Sequence, residues 1–361
     1  AWPLQGIGLF LLELGVAVVL FEAGARIPLR WFRHNPMVLA QSVLESVLTY
    51  AAVYWVLVWL DVRPSVAEAL AIVAIVASPA VLTRVVMDTR ASGPVTERAI
   101  VLATLGTLYA LTWGSAKAGL LNRPHTDLAD TFYPVAVVLG LSIVVGAALA
   151  LALRTALRFM SPTSENTSMM VLALLAAGTA LAAHFGGSAP LAALLGGMLL
   201  KQLNPRPWSW PRQLGTAASI LTTLMFVLVS VVAAQADWSK PVAGVVLALI
   251  GARALAKITG VALANPGSGA SWRQALWVGC AMAPMSSVAL LLVSQFVVAS
   301  PANGAMIARI ALPAILLMEV LGAVIATLAI YRAGESIKPW LAPAALAQTD
   351  NRDRSGAPHG T

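Results

Sequence analysis

Ala77-Ser78-Pro79-Ala80 and Ala283-Pro284-Met285-Ser286-Ser287 stand in opposite halves of the chain, each in the middle of a long apolar stretch. Proline removes a backbone donor and clashes with the preceding helical turn. In hydrocarbon the carbonyls and amides so freed need partners, so a broken helix survives only where it lines a cavity or a packed site. Two breaks at corresponding positions of two repeats point to the binding site of a secondary transporter. Hydroxyl residues flank both: Ser78 precedes Pro79, and Ser286 and Ser287 follow Pro284.

The rest of the chain is built for lipid. It is 59% hydrophobic and 11% charged, with a mean hydropathy of +0.83, whereas a soluble domain carries about 25% charged residues. Stretches long enough to span, about 20 residues each, predict eleven transmembrane helices. They fall at 4–25, 36–60, 66–86, 97–121, 131–153, 166–185, 188–203, 216–236, 240–263, 271–299 and 301–330. None alternates with period two, which speaks against a lipid-facing barrel. The expected class is an all-α polytopic membrane protein, with a transmembrane domain over 1–338 and a disordered cytoplasmic tail over 339–361.

The net charge of +8 reflects topology, not nucleic-acid binding. With the N-terminus outside, one set of alternating loops and the tail collects sixteen basic residues, against four (Arg63, Lys117, Arg123 and Lys240) in the opposite set. That is the positive-inside asymmetry, and it places the C-terminus in the cytoplasm. The first span lacks a charged n-region and is read as a membrane helix, not a leader. The lone Cys280 excludes an internal disulfide and speaks against a metal cluster. No nucleophile–base pair or phosphate-cradling glycine loop points to an enzyme, and no cofactor is expected.

The broken spans, third and tenth, are seven apart, so they cross the membrane in opposite directions, as inverted repeats require. The same offset pairs the fourth with the eleventh, the second with the ninth and the first with the eighth. Helices six to eleven then form one repeat, and the first four form its partner lacking two N-terminal helices.

Several stretches together resemble the second large family of monovalent cation:proton antiporters, which includes Na⁺/H⁺ exchangers and glutathione-gated K⁺ efflux proteins. Glu13-Leu14-Gly15 with Leu20-Phe21-Glu22-Ala23-Gly24 is similar to its early "ELG…LLFxxG" helix. Ser78-Pro79 through Arg98 resembles its first broken helix and the following loop. Pro190 to Leu200 is similar to "GAFLGGMLL", Ala256-Lys257-Ile258-Thr259-Gly260 to "GKxxG", and Met282-Ala283-Pro284 to the "MAP" of the second break. The resemblance implies two crossed broken helices and a homodimer in the bacterial inner membrane. It also implies elevator-like movement of a core (4–25, 66–86, 97–121, 216–236, 271–299 and 301–330) against a scaffold. The departures concern the chemistry. Where the family carries one or two carboxylates after the first break, as Asp-Asp, Asn-Asp or Gln-Asp, this chain has Gly106-Thr107, and no acid lies between Glu97 and Asp127.

Ionisable groups inside a membrane cost roughly 2.5–3.5 kcal/mol on an insertion scale, so each is a functional candidate. Lys257, with Arg253 one turn earlier on the same face, leads. In the family the matching lysine pairs with the missing acid. Lys257 is therefore left to be neutral, to bind an anion or lipid headgroup, to snorkel, or to pair with another acid, of which Glu319 and Glu13 are the best placed. Those two are also possible proton carriers, though a structural role suits both. Glu45, in the second span, receives no assignment. Thr104, Thr107, Ser78, Ser286 and Ser287 offer neutral oxygens that suit a partly dehydrated Na⁺ or K⁺ but carry no proton.

The expected function is antiport of a monovalent cation against protons by alternating access, with coupling chemistry that departs from the family's. Two alternatives stay open: a transporter of an anionic solute drawn by Lys257 and Arg253, and a transport-inactive sensor or assembly partner.

Overall fold

The computed structural model describes residues 7–118 apart from 28, 30, 31, 33 and 34, then 128–159, 165–204 and 239–337 apart from 286, with isolated positions between 220 and 234. Among the described residues twelve helices follow one another: α1 (Ile7–Ala25), α2 (Pro36–Trp59), α3 (Pro64–Ile75), α4 (Pro79–Thr89), α5 (Pro94–Ala118), α6 (Leu128–Phe159), α7 (Glu165–Phe185), α8 (Ala189–Leu203), α9 (Lys240–Leu263), α10 (Trp272–Ala281), α11 (Ser287–Ala299) and α12 (Pro301–Arg332). Eight segments of the described residues are long and apolar enough to cross a membrane, α3 and α4 counting as one, and α8 and α11 are shorter apolar helices. The expected spans are therefore found to within a few residues, except 216–236, which lies largely outside the described residues, as does the tail at 339–361.

Proline accounts for most of the starts. It occupies the first turn of α2, α3, α4, α8, α9 and α12, where its missing N–H is one the helix leaves unpaired anyway. In α10 the same work is done by a capping box, Ser271 and Gln274 each bonding the other's backbone N–H. The N-terminus of α5 is capped from a distance. Beyond α12 the chain turns back, and the Glu335 carboxylate accepts the N–H groups of Val95 and Thr96, both at 2.8 Å, and the Thr96 hydroxyl at 2.7 Å. An anion there also suits the positive end of the helix dipole.

Both expected interruptions are present. α3 ends at Ile75 and α4 begins at Pro79; α10 ends at Ala281 and α11 begins at Ser287. The two breaks touch, the Ser78 N–H donating to the Pro284 carbonyl at 3.0 Å. On the far side Gly322 of α12 lies against Pro284 so closely that a Cβ would come within 2.6 Å of its Cα.

Glycine also sets the main helix seams, since small residues let membrane helices approach closely. α1 runs along α8, with Gly24 against the Leu194 carbonyl and Gly197 against that of Phe21. α8 packs in turn on α6 and α7. α2 runs along α9 and α3, and α9 packs on α10 and α12. The second span, expected outside the core, thus lies against the helices of the crossing, while the first, expected inside it, packs chiefly on α8.

Candidate functional site

Two helix C-termini, those of α3 and α10, end at the crossing with carbonyls to which no further helical turn donates an N–H. Arg253 of α9, 1% exposed, serves both. Its Nε donates to Ala74 O at 3.0 Å and its Nη2 to Val76 O at 2.8 Å, on the first break. Its Nη1 donates to Ala283 O at 2.7 Å and its Nη2 to Met282 O at 3.3 Å, on the second. The planar fork of a guanidinium suits this divergent set, and a cation suits the negative ends of two half-helices. Arg253 is the clamp that holds the two interruptions together.

One turn further along α9, Lys257 is also 1% exposed. Its Nζ donates to Ile75 O, at the end of α3, at 3.1 Å and to the Glu45 carboxylate of α2 at 2.5 Å. Glu45 is wholly buried, and the Thr49 hydroxyl donates to the same Oε1 at 3.1 Å. A lone charge in such a place is prohibitive, and pairing with good hydrogen bonds is what permits it. Lys257 is therefore neither snorkelling nor unpaired, and its partner is neither Glu319 nor Glu13. Glu13 meets Gln295 at 3.5 Å instead and lines a cavity of about 340 Å³ with Ser115, Ser188 and Gln295. Glu319, half-buried on α12, has one carboxyl oxygen without a hydrogen-bond partner among the described residues.

Thr107 reaches the first break, its hydroxyl lying 2.8 Å from Ala77 O as well as 2.8 Å from Ala103 O of its own helix. Thr104 does not: its hydroxyl bonds back to Ile100 O of its own helix, a common resting place for threonine in a helix. Ser78 caps α4 through Val81 N–H at 3.2 Å, Pro79 opens that helix and Ser287 opens α11. Ser286 lies outside the described residues.

Glu45 is the functional residue that the sequence alone does not assign, and two signals mark it. Gln41, Ser42, Glu45, Ser46 and Thr49 recur at helical spacing in an otherwise apolar span, and all are buried. Gly260, three residues after Lys257, is the point where α2 meets α9, a Cβ there coming within 2.5 Å of the Glu45 Cα. A second cavity of about 340 Å³, between α2 and α5, reaches this neighbourhood; Ser46, Tyr50, Ile75 and Tyr109 are in its wall.

Two interrupted helices crossing inside a membrane domain, with buried basic residues at the break, define a secondary transporter of the sodium/proton antiporter architecture. Residues 7–331 match the family described as Sodium/hydrogen exchanger, transmembrane. The chain belongs to that family, which makes it a cation/proton antiporter by descent and a transporter, not an enzyme. In fold it is similar to the sodium proton antiporter MjNhaP1 from Methanocaldococcus jannaschii at pH 8, with a TM-score of 0.66 and 18% identity over 88% of this chain and 84% of that one. An electron-microscopy structure of MjNhaP1 gives 0.65 and 19% over 93% and 86%. No curated protein matches the chain by sequence.

Proposed function

We propose that this protein exchanges a monovalent cation, Na⁺ or K⁺, for a proton at the Lys257 site. The observation that carries the reading is the oxygen shell of the Lys257 ammonium: one carboxylate oxygen and one main-chain carbonyl at the end of an interrupted helix. These are hard oxygen donors that a partly dehydrated alkali cation also takes, so ammonium and cation compete for one place. When Lys257 gives up its proton it turns from cation to neutral amine, and the place its charge held is open to Na⁺ or K⁺. When the cation leaves, a proton returns to Lys257. Either state holds one mobile positive charge, so the pair exchanges one cation for one proton and moves no net charge.

Arg253 keeps its charge throughout, being committed to four carbonyls. With the Arg253 donors turned to main-chain carbonyls and Lys257 paired with Glu45, neither basic residue presents its hydrogen-bonding face to a solute, which weakens the anionic-solute reading. The body that carries the site is α2–α5 with α9–α12, moving against α1 and α6–α8 in an alternating-access cycle. We place the protein in a bacterial inner membrane as a homodimer, with this chain's N-terminus outside and its C-terminus in the cytoplasm, on the distribution of basic residues and on the family it belongs to.

The test is proton movement in proteoliposomes loaded with a pH dye, with Na⁺, K⁺ or Li⁺ added in turn. Cation-dependent proton flux is expected in the native protein and none in Lys257→Ala. A flat trace in the native protein for all three ions, or an unchanged one in the variant, overturns the reading.

A further inference from the structure

We infer that Glu45 is the carboxylate that binds the transported cation, brought in from α2 to a spot beside Gly106 of α5, where no side chain stands. The inference rests on the exchange reading above and names the anionic ligand of that same site. Four features of the molecule converge on it.

The first is the missing side chain at Gly106. A Cβ built there lies 3.4 Å from Ile75 O, the carbonyl that Lys257 also grips, and 3.9 Å from Glu45 Oε2. A carboxylate on α5 at this position and the carboxylate of Glu45 would therefore reach the same point from opposite sides. With glycine at 106 the space belongs to Glu45.

The second is the approach of α2. Gly260 brings the α2 backbone onto α9 at the level of Glu45 itself, so that the glutamate needs no further reach to meet Lys257 one turn away. The third is the orientation of the carboxylate. Thr49 and Lys257 both address Oε1, whereas Oε2 accepts only a long hydrogen bond, 3.4 Å, from Ser46 Oγ among the described residues. That oxygen lies on the Gly106 side, 3.9 Å from where a Cβ would stand, and is the one positioned to take a metal ion. The fourth is access, because Ser46 and Ile75, the neighbours of the pair, both line the cavity between α2 and α5. The cation's ligands are then Glu45, the Ile75 carbonyl and the Ser46 hydroxyl, a hard oxygen set carrying one negative charge, matched to one monovalent ion.

The native protein is measured first for cation-dependent proton flux, so that a failure of antiport itself is read before any variant. Against a native protein that exchanges, Glu45→Gln keeps the size of the side chain and its hydrogen bonds to α2 but removes the charge. It is expected to lose the flux while keeping a monodisperse profile in detergent. A folded Glu45→Gln that exchanges like the native protein overturns the inference and leaves the antiport reading standing.

The relocation is tested by the pair Glu45→Ala and Glu45→Ala with Gly106→Asp. The first is expected to be inactive. The second returns a carboxylate to the same point from α5, keeps a partner for Lys257 and is expected to regain cation-dependent flux. A folded double variant without flux overturns the claim that the two positions feed one site. Should Glu45→Gln fail to fold for want of a partner to Lys257, the charge-balanced double variant decides alone.

Discussion

Replacing Arg253 by methionine keeps a long, flexible side chain in the same space and removes every donor. Four carbonyls, Ala74, Val76, Met282 and Ala283, then lose the partner the guanidinium supplies. A buried polar group left unpaired costs about 1–3 kcal/mol, and bonds from a charged donor sit high in that range. Two effects offset the loss: the guanidinium no longer has to be desolvated, and water entering at the crossing restores some bonds. Taking the low end for all four groups gives a destabilisation of about 4 kcal/mol. Arg253→Lys, which keeps a cation with fewer and less divergent donors, should fall between the two. Thermal unfolding of purified protein, followed by the emission of its eleven tryptophans, gives the order native, lysine, methionine. An unfolding midpoint for Arg253→Met equal to the native one would falsify the view that this residue clamps the two breaks.

Gly260→Val pushes α2 from α9 at Glu45, so cation-dependent flux should fall sharply; a fully active valine variant, assayed in the same vesicles, would show that the close approach is dispensable. Thr107→Val deprives the Ala77 carbonyl of the hydroxyl donor that α5 gives it and should lower stability by about 1 kcal/mol, read from the unfolding midpoint. Glu335→Ala strips the remote cap from α5, with an expected loss of about 1–2 kcal/mol, and Glu335→Gln should recover part of it. Glu13→Gln and Glu319→Gln touch neither Lys257 nor Glu45 and should leave flux in place; loss of exchange in either would move the proton carrier away from Lys257.

The helices are legible in the sequence because hydrocarbon enforces them: each span must be apolar, and proline and glycine mark its ends. The breaks are legible for the same reason, since Pro79 and Pro284 interrupt stretches that hydrocarbon would keep helical from end to end. The place of the charged pair is half visible. Lys257 and Arg253 stand out on α9, and the absence of an acid at Gly106-Thr107 is plain. The partner is not, because distance along the chain says nothing about which of Glu13, Glu45 and Glu319 faces α9. That depends on helix rotation, set by packing at Gly260, and on the buried polar stripe from Gln41 to Thr49, whose spacing is visible only once its members are weighed together. Thr104 shows the converse: its proximity in sequence to Thr107 suggests a shared role, but three residues on a helix do not place two hydroxyls on one partner, and it bonds its own backbone.

The claim that a cation and the Lys257 proton exclude each other can be measured without a membrane. Purified protein in lightly buffered detergent is titrated with Na⁺, K⁺ or Li⁺ while cation binding and released protons are recorded together. The account predicts one proton set free for each cation bound by the native protein, and none from Lys257→Ala. Cation binding to the native protein with no proton release would contradict it.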